Sequence, residues 1–351
     1  MRKPEKIIVI RNDKLGDFML AWPSFALLRS ALPDTEIHAL VPSYTRPIAD
    51  LCSYLDATLE DPGRNSGWTG FRQLTAALND QHYDAAITLF STGRIGAAVR
   101  AAGIPYRLAP ATKLAQLCYN HRELQRRSKS EKPEWLYNVD LIRRFLQDWD
   151  VACPAIPHPP YLEFNTHELD TLAAQFYAKH RLPSENRLIF IHPGSGGSAN
   201  NLQPEQFAAL AFALRTVRPI TFVVSAGPSE AQLAKQLADL LKKHQLSTCV
   251  YVSEEGLISF TQHLMLAYVF ISGSTGPLHI AGALNLRTVG FYPSKRSSTS
   301  LRWQTLSEPA RRLAFSPPES FDDTNMLNVD IETAAATISE SFLAPPIPDA
   351  E

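Results

Sequence analysis

Apolar residues in this chain come in short runs separated by stretches of helical spacing. Residues 6–10, KIIVI, form a β-rich run that ends in a polar, glycine-containing loop over 11–16. Helical spacing follows over 17–31, and Pro23 predicts a break or restart inside it. Further strands are expected at 36–41 and 85–90, with helices between them over 44–52 and 70–78. Short buried strands alternating with helices predict a parallel, doubly wound α/β sheet.

A helix is expected over 135–149, where Leu136, Val139, Ile142, Phe145 and Leu146 recur at helical spacing. Residues 153–160 then carry Pro154, Pro157, Pro159 and Pro160, which suits a linker and neither a central strand nor a helix interior. Beyond it the alternation restarts. Strands are expected at 188–192, 220–225, 249–252, 269–272 and 288–292, and helices at 203–216, 229–244 and 277–284. The expected organisation is a first domain over 1–160 and a second over 161–330. A C-terminal helix and tail follow over 331–351, able to pack back on the first domain. Pro345, Pro346 and Pro348 predict a loose end to that tail.

Composition changes this picture little. The chain has 351 residues, 45% hydrophobic and 20% charged, with a net charge of -1, so no global attraction to nucleic acid is expected. The charge is uneven, however: residues 94–144 hold 11 Lys/Arg against 4 Asp/Glu. That stretch reads as a solvated surface or as a docking face for a phosphorylated or membrane-borne acceptor. Cys52, Cys118, Cys153 and Cys249 lie far apart in sequence, with no zinc spacing, and read as reduced thiols of a cytoplasmic protein. The apolar run at 7–10 is too short for a signal peptide, and no stretch approaches a membrane span. Membrane contact is expected to be peripheral.

Four loops after strands carry the candidate chemistry, because ligands of open α/β sheets bind at the strand C-termini. In Arg11-Asn12-Asp13-Lys14-Leu15-Gly16-Asp17, Asp17 is either a helix-capping carboxylate or a general base. In His192-Pro193-Gly194-Ser195-Gly196-Gly197-Ser198, the glycines let the backbone approach a ligand and its N–H groups bind a diphosphate. In Ser272-Gly273-Ser274-Thr275-Gly276-Pro277-Leu278-His279, a helix N-terminus with Pro277 in its first turn suits an anion. In Ala226-Gly227-Pro228-Ser229-Glu230, Glu230 either caps a helix or meets a ribose. The D-x-D at Asp148-Trp149-Asp150 ends a helix and reads as two exposed acids, so no metal ligand and no cofactor is assigned. Nicotinamide and P-loop fingerprints are absent from the first loop.

Together these segments resemble glycosyltransferase family 9, best known for the ADP-heptose:lipopolysaccharide heptosyltransferases. The resemblance rests on IIVIRNDKLGDFMLAWPSFALLRSALPDTEIHALV, IFIHPGSGGSANNLQPEQF and ISGSTGPLHIAGALNLRTVGFYPS. It runs from Lys6 to about Pro293 and is weakest between about Asp56 and Glu168. It implies a GT-B fold, two Rossmann-like domains facing a central cleft, and an inverting, metal-independent transfer. The family's general base falls on Asp17. Its donor contacts fall on Gly194, Ser195, Gly196, Gly197, Glu230, Ser274, Thr275, Gly276 and His279. The resemblance assigns the acceptor to the first domain, where Asp13, Lys14 and the basic run of Arg122, Arg126, Arg127 and Lys129 are the candidate contacts. The implied partners are a nucleotide-sugar donor, ADP-heptose first, a phosphorylated lipid or lipopolysaccharide core acceptor, and the inner face of the inner membrane. Two positions depart from the family pattern: Ser274 stands where an Asp is usual, and Asn200 where a Lys is usual. A positive charge for the diphosphate would then come from Lys295, Arg296 or Arg302. The alternatives are another nucleotide sugar or glycan acceptor, or a non-catalytic nucleotide-sugar-binding protein of the same fold.

Overall fold

The run at 6–10 is strand β1 (Lys6–Ile10), with Ile7, Ile8, Val9 and Ile10 buried on both faces. Parallel strands covered by helices on each side need such continuous apolar runs, not an alternating pattern. The computed structural model describes residues 3–112, 114–197, 200–318 and 324–344. Ser198 of the second loop and the prolines of the tail lie outside the described residues. The chain divides into two units, Met1–Leu162 and Glu163–Glu351.

In the first unit β1 is followed by α1 (Leu15–Met19) and α2 (Trp22–Ala31). The break is where Pro23 placed it, because Pro23 occupies the first turn of α2, where a missing N–H costs nothing. Then come β2 (Glu36–Pro42), α3 (Arg46–Ala49), β3 (Ala57–Asp61), α4 (Gly67–Asp80), β4 (Ala85–Thr88), α5 (Gly93–Ala101), β5 (Tyr106–Pro110), β6 (His121–Glu123) and α6 (Glu134–Asp148). The helix expected over 44–52 contracts to the four residues of α3. The sheet order is β3-β2-β1-β4-β5-β6, every neighbouring pair parallel.

The second unit runs α7 (Thr166–His180), β7 (Arg187–His192), α8 (Pro204–Ala213), β8 (Ile220–Ala226), α9 (Ala231–Lys243), β9 (Thr248–Val252), α10 (Gly256–Leu264), β10 (Ala267–Gly273), α11 (Gly276–Ala283), β11 (Thr288–Phe291), β12 (Arg312–Phe315) and α12 (Ile331–Ile338). Its sheet order is β12-β11-β10-β7-β8-β9, again wholly parallel. Counted from its own first strand, this order is the same as in the first unit. Each sheet therefore has one topological switch point, between β1 and β4 in the first and between β7 and β10 in the second. A crevice opens there at the strand C-termini.

The C-terminal helix corrects one expectation: it packs on the second unit. Ala334, Ala335 and Ile338 of α12, with Phe342 and Leu343 after it, share a buried cluster with Phe207, Leu210 and Ala211 of α8. The Arg215 backbone N–H donates to Ser339 Oγ at 2.9 Å and fixes the pairing. The apolar face of α12 finds its partner in α8, so it buries its surface there.

Candidate active site

The loop after β1 turns on Arg11, a residue without an assigned role in the sequence reading. Arg11 is buried, 1% exposed, at the switch point beside Phe90, 5.9 Å from that ring. A buried guanidinium is costly unless every N–H finds a partner. Here all five do. Nε donates to Asp13 Oδ1 at 2.9 Å, and Nη2 to Asp17 Oδ1 at 2.5 Å and Glu134 Oε1 at 3.4 Å. Nη1 donates to Glu134 Oε1 at 3.3 Å and Asn138 Oδ1 at 3.0 Å. Burial pulls the Arg11 pKa down, but the charges of Asp13, Asp17 and Glu134 outweigh it and hold it above its ordinary value. Asp13 is pushed up to about 6, by burial first and by the charge of Asp17, against the pull of Arg11.

Asp17 sits in the first turn of α1, but no side-chain hydrogen bond caps that helix. Its carboxylate is turned to Arg11. Lys14, the residue before α1, is exposed. At the end of β3, the buried Asp61 accepts from Asn12 Nδ2 and from Arg94 Nη2 on α5 through both its oxygens. Nε and Nη1 of Arg94 are buried without a hydrogen-bond partner among the described residues.

The basic stretch proves divided. Arg122 and Arg126 are exposed, and Lys129 is exposed with Glu131 at 3.9 Å. Arg127 does not belong with them. Its guanidinium donates to Gln125 Oε1 at 2.8 Å and Glu134 Oε1 at 2.6 Å, over the Tyr137 ring. Lys132 likewise pairs with Asp140. The Asp148 carboxylate accepts from Tyr106 Oη at 2.9 Å and Arg144 Nε at 2.8 Å, which accounts for it as a helix-end acid. Among the described residues no group of three or more His, Cys, Asp or Glu is arranged to hold a metal.

In the second unit the glycine loop after β7 and the loop after β10 meet at the switch point. Ser272 Oγ donates to the His192 carbonyl at 3.0 Å, and its oxygen lies 3.2 Å from Thr275 Oγ1. Asn201 Nδ2 donates to the Pro193 carbonyl at 2.8 Å, and its side chain lies where a Cβ on Gly273 would stand 2.6 Å away. Glu230 reaches into the glycine loop: its Oε1 accepts from the Gly196 N–H at 2.8 Å, and its Oε2 is 3.6 Å from His192 Nε2. A Cβ on Gly194 would stand 2.1 Å from that carboxylate, so a larger residue there would displace Glu230 from the loop. The Gly196 N–H expected for a diphosphate is therefore already engaged. Gly196 and Gly197 both have left-handed backbone, φ +54 and +71.

Thr275 is the residue before α11, and its side chain does not cap the helix, so the first turn keeps open N–H groups. Ser274 and Gly276 flank it, half-buried. His279 and His192 are both buried, and burial lowers each to about 4, leaving both neutral near pH 7. His279 Nδ1 has no hydrogen-bond partner among the described residues. Asn200 Nδ2 donates to the Thr324 carbonyl at 3.1 Å. Lys295 and Arg296 are exposed, and Arg302 lies over Trp303.

Each unit carries its candidate loops at its own switch point, and the molecule is a glycosyltransferase of the two-domain α/β, GT-B kind. Residues 71–319 match the model of glycosyltransferase family 9 (heptosyltransferase), and the chain belongs to that family. It is 42% identical over 337 residues to a Haemophilus influenzae protein named "Putative glycosyltransferase", covering 95% of this chain and 96% of that one. A family 9 glycosyl transferase structure from Veillonella parvula superposes with a TM-score of 0.79 at 17% identity, covering 98% of each chain. The Escherichia coli ADP-heptose LPS heptosyltransferase II superposes with a TM-score of 0.74 at 18% identity, covering 96% of this chain and 98% of that one.

Proposed function

We propose that the chain transfers heptose from ADP-heptose to a lipopolysaccharide inner-core acceptor of the Kdo–lipid A type, by inverting displacement and without a metal. Asp17 is the observation that carries this reading. It stands at the first switch point, half-buried, with Oδ1 held by Arg11 and no other hydrogen bond among the described residues. Asp17 takes the proton of the acceptor hydroxyl as that oxygen attacks the anomeric carbon. The nucleoside diphosphate leaves from the other side of that carbon. Its charge is met by N–H groups of the glycine loop and of the first turn of α11, where the helix dipole is positive. Glu230 releases the Gly196 N–H when donor binds and turns to the ribose. The name of the similar E. coli structure supports ADP-heptose and a lipopolysaccharide acceptor.

The enzyme works at the cytoplasmic face of the inner membrane, in this reading. Exposed Leu114, Leu117 and Leu124 interleave with exposed Arg122, Arg126 and Lys129 in the first unit. Such a mixture suits an anionic, lipid-bearing surface. No helix among the described residues is long and apolar enough to cross a membrane.

The test is nucleotide release with a panel of nucleotide sugars and truncated lipid A acceptors, with products identified by mass spectrometry. ADP-heptose should give the highest turnover, unchanged in EDTA. Asp17→Asn should lower turnover about 10²–10⁴-fold while donor binding and folding persist. Preference for a different nucleotide sugar would replace the donor, a result for which Ser274 and Asn200 provide the motive. Magnesium-restorable loss in EDTA would overturn the metal-free mechanism.

A further inference from the structure

Arg11 reaches the base, but α6, more than 120 residues further along the chain, decides where Arg11 points. Glu134, the first residue of α6, is buried, and its Oε1 accepts from both terminal nitrogens of Arg11 and from Arg127. Asn138, one turn on, is fully buried and works in two directions. Its Oδ1 accepts from Arg11 Nη1 at 3.0 Å, and its Nδ2 donates to the Leu20 carbonyl at 3.1 Å. Leu20 closes α1, the helix that carries Asp17. Asn138 therefore ties the guanidinium and the backbone of the base's own helix to one side chain. Arg11 also has a competing partner in Asp13, whose carboxylate it meets through Nε. Without the α6 contacts, nothing on the far side of the guanidinium would keep Nη2 directed at Asp17.

We propose that Glu134 and Asn138 are positioning residues for the transfer reaction: they fix Arg11, and Arg11 holds Oδ1 of Asp17 so that Oδ2 meets the acceptor hydroxyl. This rests on the reading of Asp17 as the general base. A displacement of about 1 Å at a reacting group costs on the order of 10²-fold in rate. Glu134→Ala and Asn138→Ala are therefore expected to lower kcat by about 10–100-fold, with acceptor KM and donor Kd within about twofold. Glu134→Gln keeps the length and the acceptor oxygen, and should recover most of the turnover that Glu134→Ala loses.

The deciding experiment is a double-variant cycle on kcat with Asp17→Asn, run beside thermal melts and donor binding. If Glu134 and Asn138 act through the base, neither alanine variant lowers kcat further once Asp17 is Asn. If each multiplies the loss by its full factor in that background, the positioning role is overturned while the base assignment stands. If Asp17→Asn alone turns over like wild type, both fall together. Should Glu134→Ala fail to fold, Asn138→Ala and Glu134→Gln are read in the same cycle. An increase in acceptor KM at constant kcat would also overturn the proposal, since it would place these side chains in acceptor binding.

Discussion

At the scale of single residues, the first unit concentrates ionisable groups around one buried cation. Asp13, Asp17 and Glu134 all face Arg11, and Arg127 shares Glu134. Removing one member of such a buried set typically costs about 3–5 kcal/mol. The sign for Asp13 is opposite to that of a simple ion pair. Its folded pKa, about 6, lies above the ordinary carboxylate value, so the folded state binds the extra proton between about pH 4 and 6. Stability from this group is thus highest below pH 4 and falls as pH rises to 6. Asp13→Asn removes that slope. The melting temperature of the variant minus that of wild type should become more positive from pH 4 to pH 7, whatever its offset. A flat difference would show that Asp13 titrates normally. His192 and His279 act the other way: each is held neutral, so the stability they support above about pH 6.5 is lost as pH falls toward 4.

Among the elements, α12 offers the plainest energetic test. Ile338 is fully buried in the cluster it shares with α8. Ile338→Ala should destabilise the second unit by about 2–5 kcal/mol, read by chemical denaturation, and leave the first unit's transition in place. A cost below about 1 kcal/mol would mean that the helix docks only loosely. The sequence exposed the strands with a continuous apolar run, such as β1, β7 and β10, because burial on both faces leaves such a run. It hid β3, β5, β6 and β12, whose residues are mixed: β6 is His121, Arg122 and Glu123, an edge strand with no apolar residue. The loops after the strands were equally legible, because glycine, serine and proline mark them. What no local pattern could show was Arg11 as a buried hub. Glu134 and Asn138 look like ordinary polar positions on a helix until the fold brings α6 to β1. The same holds for Arg127: Arg126 and Ser128 beside it in sequence are exposed, and its guanidinium donates to Glu134 of α6.

For the whole molecule, the proposed acceptor is lipid-linked, and no helix among the described residues is long and apolar enough to cross a membrane. Leu114 and Leu117 are three residues apart on a tight helical turn, so they lie on the same face, and Leu124 follows edge strand β6. Replacing these three leucines by serine should lower binding to anionic phospholipid vesicles at least tenfold. Activity on a soluble, deacylated acceptor and donor Kd should stay near wild type. Charge reversal at Arg122 and Arg126 should weaken vesicle binding by roughly 1 kcal/mol per residue and make the remainder less sensitive to salt. Unchanged vesicle binding in both variants would return this surface to ordinary solvated status.

The wholly parallel order of both sheets has a consequence for the time course of folding. A parallel pair has no tight hairpin to start from, and the central contacts join distant stretches: Ile7 pairs with Ala85, and His192 with Ser272. Closing loops of that length before any contact is rewarded makes nucleation slow. Arg11 leaves the ribosome early, yet Glu134 and Asn138 follow only at the end of the first unit. Until they arrive, a cation and two carboxylates remain in water. The Arg11 cluster is thus among the last features of its domain to assemble, and premature termination before α6 should yield a chain that exposes β1 and aggregates.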